Sequence, residues 1–332
     1  MFGADTLERL RTELEMLGLA RALVVTTPRR DSTIEKVCAE LGDRLAGICD
    51  IAAMHVPADR VERALADVDR IRPDVLIAVG GGSAIGLAKA IARERLLSIV
   101  AVPTTYAGSE MTSIWGTTSG DTKTTGRDPA VAPRLVIYDP VLTLSLPPHT
   151  SAASGMNAMA HAVEAMYASN ASPVAGAAAN EAIGTLAHAL PLVVAAPRDL
   201  DARTLALRGA HAAAMALELA PMGLHHKLCH VLGGFGLPHA ETHAALLPHV
   251  VAFNAPAAPE AMARIAGALG VNDAAAGLRA LNDTLGLTMS LGTLGLDQTG
   301  VERAARAVGA ATFPNPRAAT PDAVRQLLVD AL

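Results

Sequence analysis

A chain of 332 residues, 51% of them apolar, is long enough for about two domains with sizeable cores. Its formal net charge of −5 and 18% charged content give no basic surface of the kind that binds nucleic acid. The longest apolar runs are broken by Arg, Asp, Gly or Pro before roughly 20 residues, so no membrane span is expected.

The chain opens without a secretory pattern, and Cys38, Cys49 and Cys229 lack metal-ligand spacing. Reduced thiols in the cytoplasm are the expectation.

In chain order, residues 22–27 (ALVVTT) read as a strand and residues 32–46 as a helix. Residues 75–79 (VLIAV) form a near-continuous apolar run, the pattern of a strand buried on both faces. A Gly80-Gly81-Gly82-Ser83 turn leads from it into a helix over residues 84–95. Residues 98–102 (SIVAV) and 134–138 (RLVIY) read as further strands. Strands alternating with helices imply βαβ units and a parallel sheet.

After Pro147 and Pro148 the chain turns rich in Ala, Leu and Met. Helices are expected over residues 157–169, 174–190, 200–219, 224–233, 240–253, 259–269, 274–285 and 300–308. Pro191, Pro197, Pro221, Pro238 and Pro256 read as punctuation between them. The fold class is therefore an α/β N-terminal dinucleotide-binding domain with a parallel sheet, residues 1–148, followed by an all-α substrate domain, residues 149–332. The site is expected in the cleft between these halves.

Two loops at strand ends suit a nucleotide. Glycines at 80–82 let a backbone approach a diphosphate, and the following helix start offers free N–H groups. The segment from Val102 to Thr112 (VPTTYAGSEMT) places five hydroxyl-bearing side chains after the next strand, where they can bond phosphate, ribose or carboxamide groups. The bland alternative for it is a Ser/Thr-rich turn with Ser109 as a helix N-cap. Lys123, one of four lysines, falls in a stretch (TKTTGR) that reads as a loop.

Of 11 histidines, six crowd together: His225, His226, His230, His239, His243 and His249. His226 with His230, His239 with His243, and Asn157 with His161 are each spaced i, i+4, so each pair shares a helix face. Such pairs either chelate a divalent metal or form a set of imidazoles that bind carboxylates and move protons. His225 and His249 read as bystanders.

The strings GGGSxxGxAK from Gly80, PTTYAGSEMTxIWG from Pro103, SGMNAMAHAVE from Ser154 and HKLCHVLGG from His226 resemble the maleylacetate reductases. LPHAETHA from Leu237 and a late NPR at Asn315 extend the likeness. These enzymes form a branch of the iron-containing alcohol dehydrogenase-like superfamily, beside glycerol dehydrogenase and dehydroquinate synthase. The resemblance starts at Phe2-Gly3, before which relatives carry a strand-forming segment, so either a short chain or a missing sheet edge is expected.

The resemblance implies that Gly81, Gly82 and Ser83 hold the diphosphate of NADH or NADPH. It places Thr104, Thr105, Ser109, Thr112 and Lys123 around the ribose and nicotinamide. Metal-dependent relatives ligate iron or zinc through Asp-x-x-x-His and two later histidines, positions that read Asn157, His161, His226 and His239 here. Replacing the carboxylate by a neutral amide removes the expected anionic ligand, so no metal is expected.

The resemblance also implies reduction of maleylacetate to 3-oxoadipate during degradation of aromatic compounds. His161, His226, His230, His239 and His243 would bind carboxylates and supply protons from a cationic pocket. In that scheme His243 or His239 is the acid and His226 the enolate stabiliser, while Asn157, His161 and Tyr106 contact substrate. A homodimer is implied too. Arg29 and Arg30, after the first strand, permit a 2′-phosphate without excluding NADH. The competing reading is a metal-dependent alcohol or polyol dehydrogenase on the same fold.

Overall fold

In a computed structural model describing residues 1–28, 31–120, 122–287 and 289–332, the chain forms two units, Met1–Leu146 and Pro147–Leu332. The first begins with helix α1 (Leu10–Met16) and continues as β1 (Ala22–Val25), α2 (Ser32–Leu41), β2 (Leu45–Cys49) and α3 (Ala58–Ile71). It goes on through β3 (Val75–Gly80), α4 (Gly82–Arg95), β4 (Ser98–Pro103), β5 (Ile114–Ser119), β6 (Thr122–Arg127) and β7 (Leu135–Val136). The main sheet has the order β2-β1-β3-β4-β7, and every pairing in it is parallel.

Both faces of the central strands are apolar, and alternate residues serve opposite cores. Leu23, Leu76 and Ile99 pack with Val68 of α3 and Ile85 of α4. Val24, Ile77 and Val100 pack with Leu10 of α1 and Val37 of α2. Burial on both sides is what the unbroken apolar runs encode.

The helix expected over residues 32–46 stops at Leu41 instead. Gly42 takes φ +53°, and residues 45–49 become the edge strand β2. Gly47 in that strand admits Ile71 of α3, whose Cδ1 would lie 2.8 Å from an added Cβ. The stretch around Lys123 is likewise no loop: β5 and β6 form an antiparallel hairpin, with Thr118 opposite Lys123. Gly126 leaves room for the Trp115 indole, over which the Arg93 guanidinium sits at 3.8 Å.

The second unit is helical: α5 (Pro148–Met166), α6 (Pro173–Ala195), α7 (Leu200–Leu219), α8 (Leu224–Gly234), α9 (His239–Asn254), α10 (Pro259–Leu269), α11 (Ala274–Thr284), α12 (Gln298–Gly309) and α13 (Pro321–Asp330). Helix α5 is buried from Ser151 to Met166 and packs against α6, α7 and α9. Its small residues permit this: a Cβ on Gly155 would collide with Leu190 of α6, an overpacking worth about 1–3 kcal/mol.

Arg203 of α7 is fully buried, donating to Ser151 Oγ at 2.6 Å and to the Pro197 carbonyl at 2.9 Å. Pro191 does not end a helix but lies inside α6, as Pro248 lies inside α9. Helix α6 is long and apolar enough to cross a membrane by length and composition, with mean hydropathy 1.2, which the run-length reading missed. Here it packs on α5, α7 and α10.

Candidate active site

Strands β3 and β4 run in parallel register with Gly80 beside Pro103, so their C-terminal turns lie side by side. The Thr104 N–H donates to the Gly80 carbonyl at 3.1 Å. Gly81 is the N-cap of α4 and no side chain caps that helix start, while Gly80 has φ +138°. A Cβ on Gly81 would lie 2.8 Å from Thr105 Oγ1, whereas one on exposed Gly82 would meet nothing within 4 Å. Uncapped N–H groups beside open space could hold a diphosphate at Gly81, Gly82 and Ser83, with Thr104 and Thr105 adjacent.

The later part of this loop serves the fold. The Lys89 ammonium is buried and donates to the carbonyls of Ser109 (2.6 Å), Thr112 (2.6 Å) and Ile114 (2.8 Å), and to Thr112 Oγ1 at 3.0 Å. Thr112 is fully buried, and its hydroxyl donates to the Ser109 carbonyl, which removes it from the ribose set. Ser109 is no N-cap: it is the first residue of a 3-10 turn whose cap position is Gly108. Tyr106 is wholly buried. Lys123 sits half-buried on the hairpin rather than on this loop. Arg29 and Arg30 lie outside the described residues.

In the helical unit, α5, α8 and α9 bring together the histidines that sequence spacing singled out. The ring centroids of His161 and His226 are 4.9 Å apart, those of His226 and His243 5.0 Å, and those of His239 and His243 4.5 Å. His230 joins at 6.4 Å from His226. His230 and His239 are half-buried, while Asn157, His161, His226 and His243 are buried.

His225 lies against the same cluster. Its ring packs 4.9 Å from that of His243, and its Nε2 lies 3.0 Å from the His243 carbonyl.

A carboxylate is present that the spacing did not reveal. Glu164 of α5, 1% exposed, places Oε2 2.6 Å from His226 Nδ1. It also accepts the backbone N–H groups of Gly223, His225 and His226. Burial raises its pKa, but the His226 hydrogen bond and charge outweigh that, leaving it below the usual carboxylate value.

The imidazoles tell the opposite story. Burial first, then neighbouring rings, holds His161 and His243 well below the ordinary histidine value. Burial pushes His225 down to about 4, against the pull of Glu164. Burial thus favours the neutral form of these three in the free chain, which runs against the expected cationic pocket at His161 and His243. Asn157 Oδ1, His161 Nδ1, His226 Nε2 and both ring nitrogens of His243 are buried with no hydrogen-bond partner among the described residues. Buried polar atoms in that state are sites for a ligand to satisfy.

Residues 1–140 match the family model described as iron-containing alcohol dehydrogenase, and residues 151–332 match that for the C-terminal part of the Fe-containing alcohol dehydrogenase family. The chain belongs to the iron-containing alcohol dehydrogenase family. It is 47% identical over 333 residues to a maleylacetate reductase of Sphingobium indicum, covering 100% of this chain and 94% of that protein. A maleylacetate reductase of Burkholderia cepacia is 48% identical over 332 residues, with 100% and 94% covered. The crystal structure of the maleylacetate reductase from Agrobacterium tumefaciens matches with a TM-score of 0.94 at 42% identity, covering 100% of this chain and 95% of that one. This member is thus an oxidoreductase on the maleylacetate reductase branch of the family.

The family name raises the question of iron. Two buried groups offer donor atoms within 4.8 Å of one another, His225 with Cys229 and His243, and Glu164 with His225 and His226. Neither is the quartet that the sequence resemblance implied. That quartet, Asn157, His161, His226 and His239, offers one amide oxygen and three imidazoles with no anion among them. Glu164 lies outside that quartet, accepting backbone N–H groups on both oxygens and meeting His226 Nδ1 through Oε2.

Proposed function

We propose that this family member reduces the carbon–carbon double bond of maleylacetate, a small dicarboxylate, to 3-oxoadipate with NADH or NADPH and without a metal ion. The observation that carries the reading is the set of buried polar atoms without a hydrogen-bond partner among the described residues, Asn157 Oδ1, His161 Nδ1, His226 Nε2 and the His243 ring nitrogens. Imidazole N–H groups can donate to the oxygens of a carboxylate, and the set holds no anion to offset a dication.

When bound, the reduced nicotinamide supplies a hydride, which goes to the carbon β to the ketone. Negative charge then develops on the ketone oxygen, and the α carbon takes a proton; substrate, hydride and one proton together make the product. In this reading His226 stabilises that oxygen through Nε2, while the Glu164 carboxylate 2.6 Å from Nδ1 orients the ring. His243 is neutral in the free chain, and two substrate carboxylates beside it favour its protonated form, so it becomes an acid as substrate binds. His239, 4.5 Å away between ring centroids, is the other candidate donor. His161, His230 and Asn157 pair with the carboxylates.

Three free cysteines, two of them buried, support a reducing cytoplasmic setting, and a homodimer is the proposed assembly. The test of substrate class is NAD(P)H oxidation with maleylacetate beside simple aldehydes. Turnover of aldehydes alone would favour the alcohol dehydrogenase reading.

A further inference from the structure

We propose that Glu164 is a positioning residue that commits Nδ1 of His226 as a donor and aims Nε2 at the substrate. This rests on the reductase reading of the site.

Helix α8 starts at Gly223, an N-cap with no side chain, and its first N–H groups would otherwise be orphaned inside the protein. Glu164 satisfies them from α5. Its carboxylate accepts from Gly223 N–H at 3.0 Å, His225 N–H at 2.9 Å and His226 N–H at 3.3 Å. Gly223 is required for this approach, since a Cβ there would lie 3.1 Å from Glu164 Oε1 and 2.9 Å from the Pro314 carbonyl.

With three N–H donors converging on it, the carboxylate acts as an acceptor. The 2.6 Å contact to His226 Nδ1 is therefore an Nδ1–H donation. Nε2, buried and without a partner, is the ring atom left to act. It belongs to the ring that faces His161 and His243.

The same carboxylate thus fixes the start of α8 and the orientation of the ring it carries. Asn315, from the NPR string that no other role absorbs, steadies the arrangement. Its Oδ1 accepts the Leu224 N–H at 3.3 Å, and its amide donates to Asn254 Oδ1 at 2.8 Å. Glu164 also lies three residues after His161, so one face of α5 carries both a substrate-facing imidazole and the group that orients the next.

Glutamine at 164 keeps the size but brings an NH2 against N–H donors. E164Q should lower kcat by roughly 10–100-fold, with the KM for NADH within about twofold of wild type. A buried cap alone predicts independent effects, whereas action through His226 predicts coupling. E164Q in an H226A background should therefore lose no further kcat; multiplicative loss, or full kcat in E164Q, overturns the proposal.

A second measurement needs neither a variant nor turnover. In wild-type protein with 15N-labelled histidine, NMR should find His226 Nδ1 protonated. A bare Nδ1 with the proton on Nε2 overturns the proposal even if E164Q fails to fold. Absence of maleylacetate turnover in wild type would sink the reductase reading while leaving this observation standing.

Discussion

The ring of His161 stacks on that of His226, 4.9 Å between centroids and 30° between planes, with Asn157 one turn earlier on α5. An anion at 157 would complete a metal shell that the amide leaves incomplete. N157D should therefore take up zinc or iron that wild type does not, seen as metal content after dialysis and as a zinc-dependent rise in Tm. It should also slow maleylacetate reduction, because a carboxylate there repels a dicarboxylate substrate. An N157D protein no richer in metal than wild type would show that residue 157 does not decide metal occupancy.

His243 is wholly buried, with both ring nitrogens lacking a partner. H243A should lower kcat by about 100- to 10,000-fold, the range for loss of a general acid, with little change in NADH affinity measured by fluorescence titration. Unchanged kcat would move the acid role to His239.

The depressed histidines couple stability to acidity. His225, with a folded value of about 4, and His161 and His243, also lowered, bind protons more readily in the unfolded chain. Their contribution is present above about pH 6.5 and is lost as pH falls from there towards 4. Tm should drop on acidification through that window. A Tm flat from pH 7 to 4.5 would show that these rings are not held neutral.

Gly81 and Gly82 separate packing from binding. G81A forces a Cβ to within 2.8 Å of Thr105 Oγ1 and should lower Tm. G82A meets only open space, so its Tm should stay near wild type while the KM for NADH rises about tenfold as the methyl fills the cradle. Equal KM values for G82A and wild type would move the diphosphate elsewhere.

What the sequence shows follows from how many signals each element carries. Strands β1, β3 and β4 are legible because burial on both faces leaves unbroken apolar runs. Edge strand β2 is half-buried and carries Gly47, so nothing in LAGIC separates it from the preceding helix. The hairpin of β5 and β6 hides because its hydroxyl-rich strands lack apolar alternation.

The histidines stood out by spacing, but Glu164 is a single carboxylate with no repeat to mark it. Its available signal is chemical: an ionisable residue three positions after His161, on a helix otherwise small and apolar. Lys89, read only as part of the glycine-loop string, proves to be the clamp on Ser109 and Thr112, a role set by three-dimensional convergence on carbonyls that spacing cannot display.

The most direct test is maleylacetate reduction by chelator-treated enzyme, followed as NADH and NADPH oxidation with its metal content measured on the same sample. Undiminished turnover by metal-free protein is the predicted result. Loss of turnover on chelation, restored by adding iron or zinc, would contradict it.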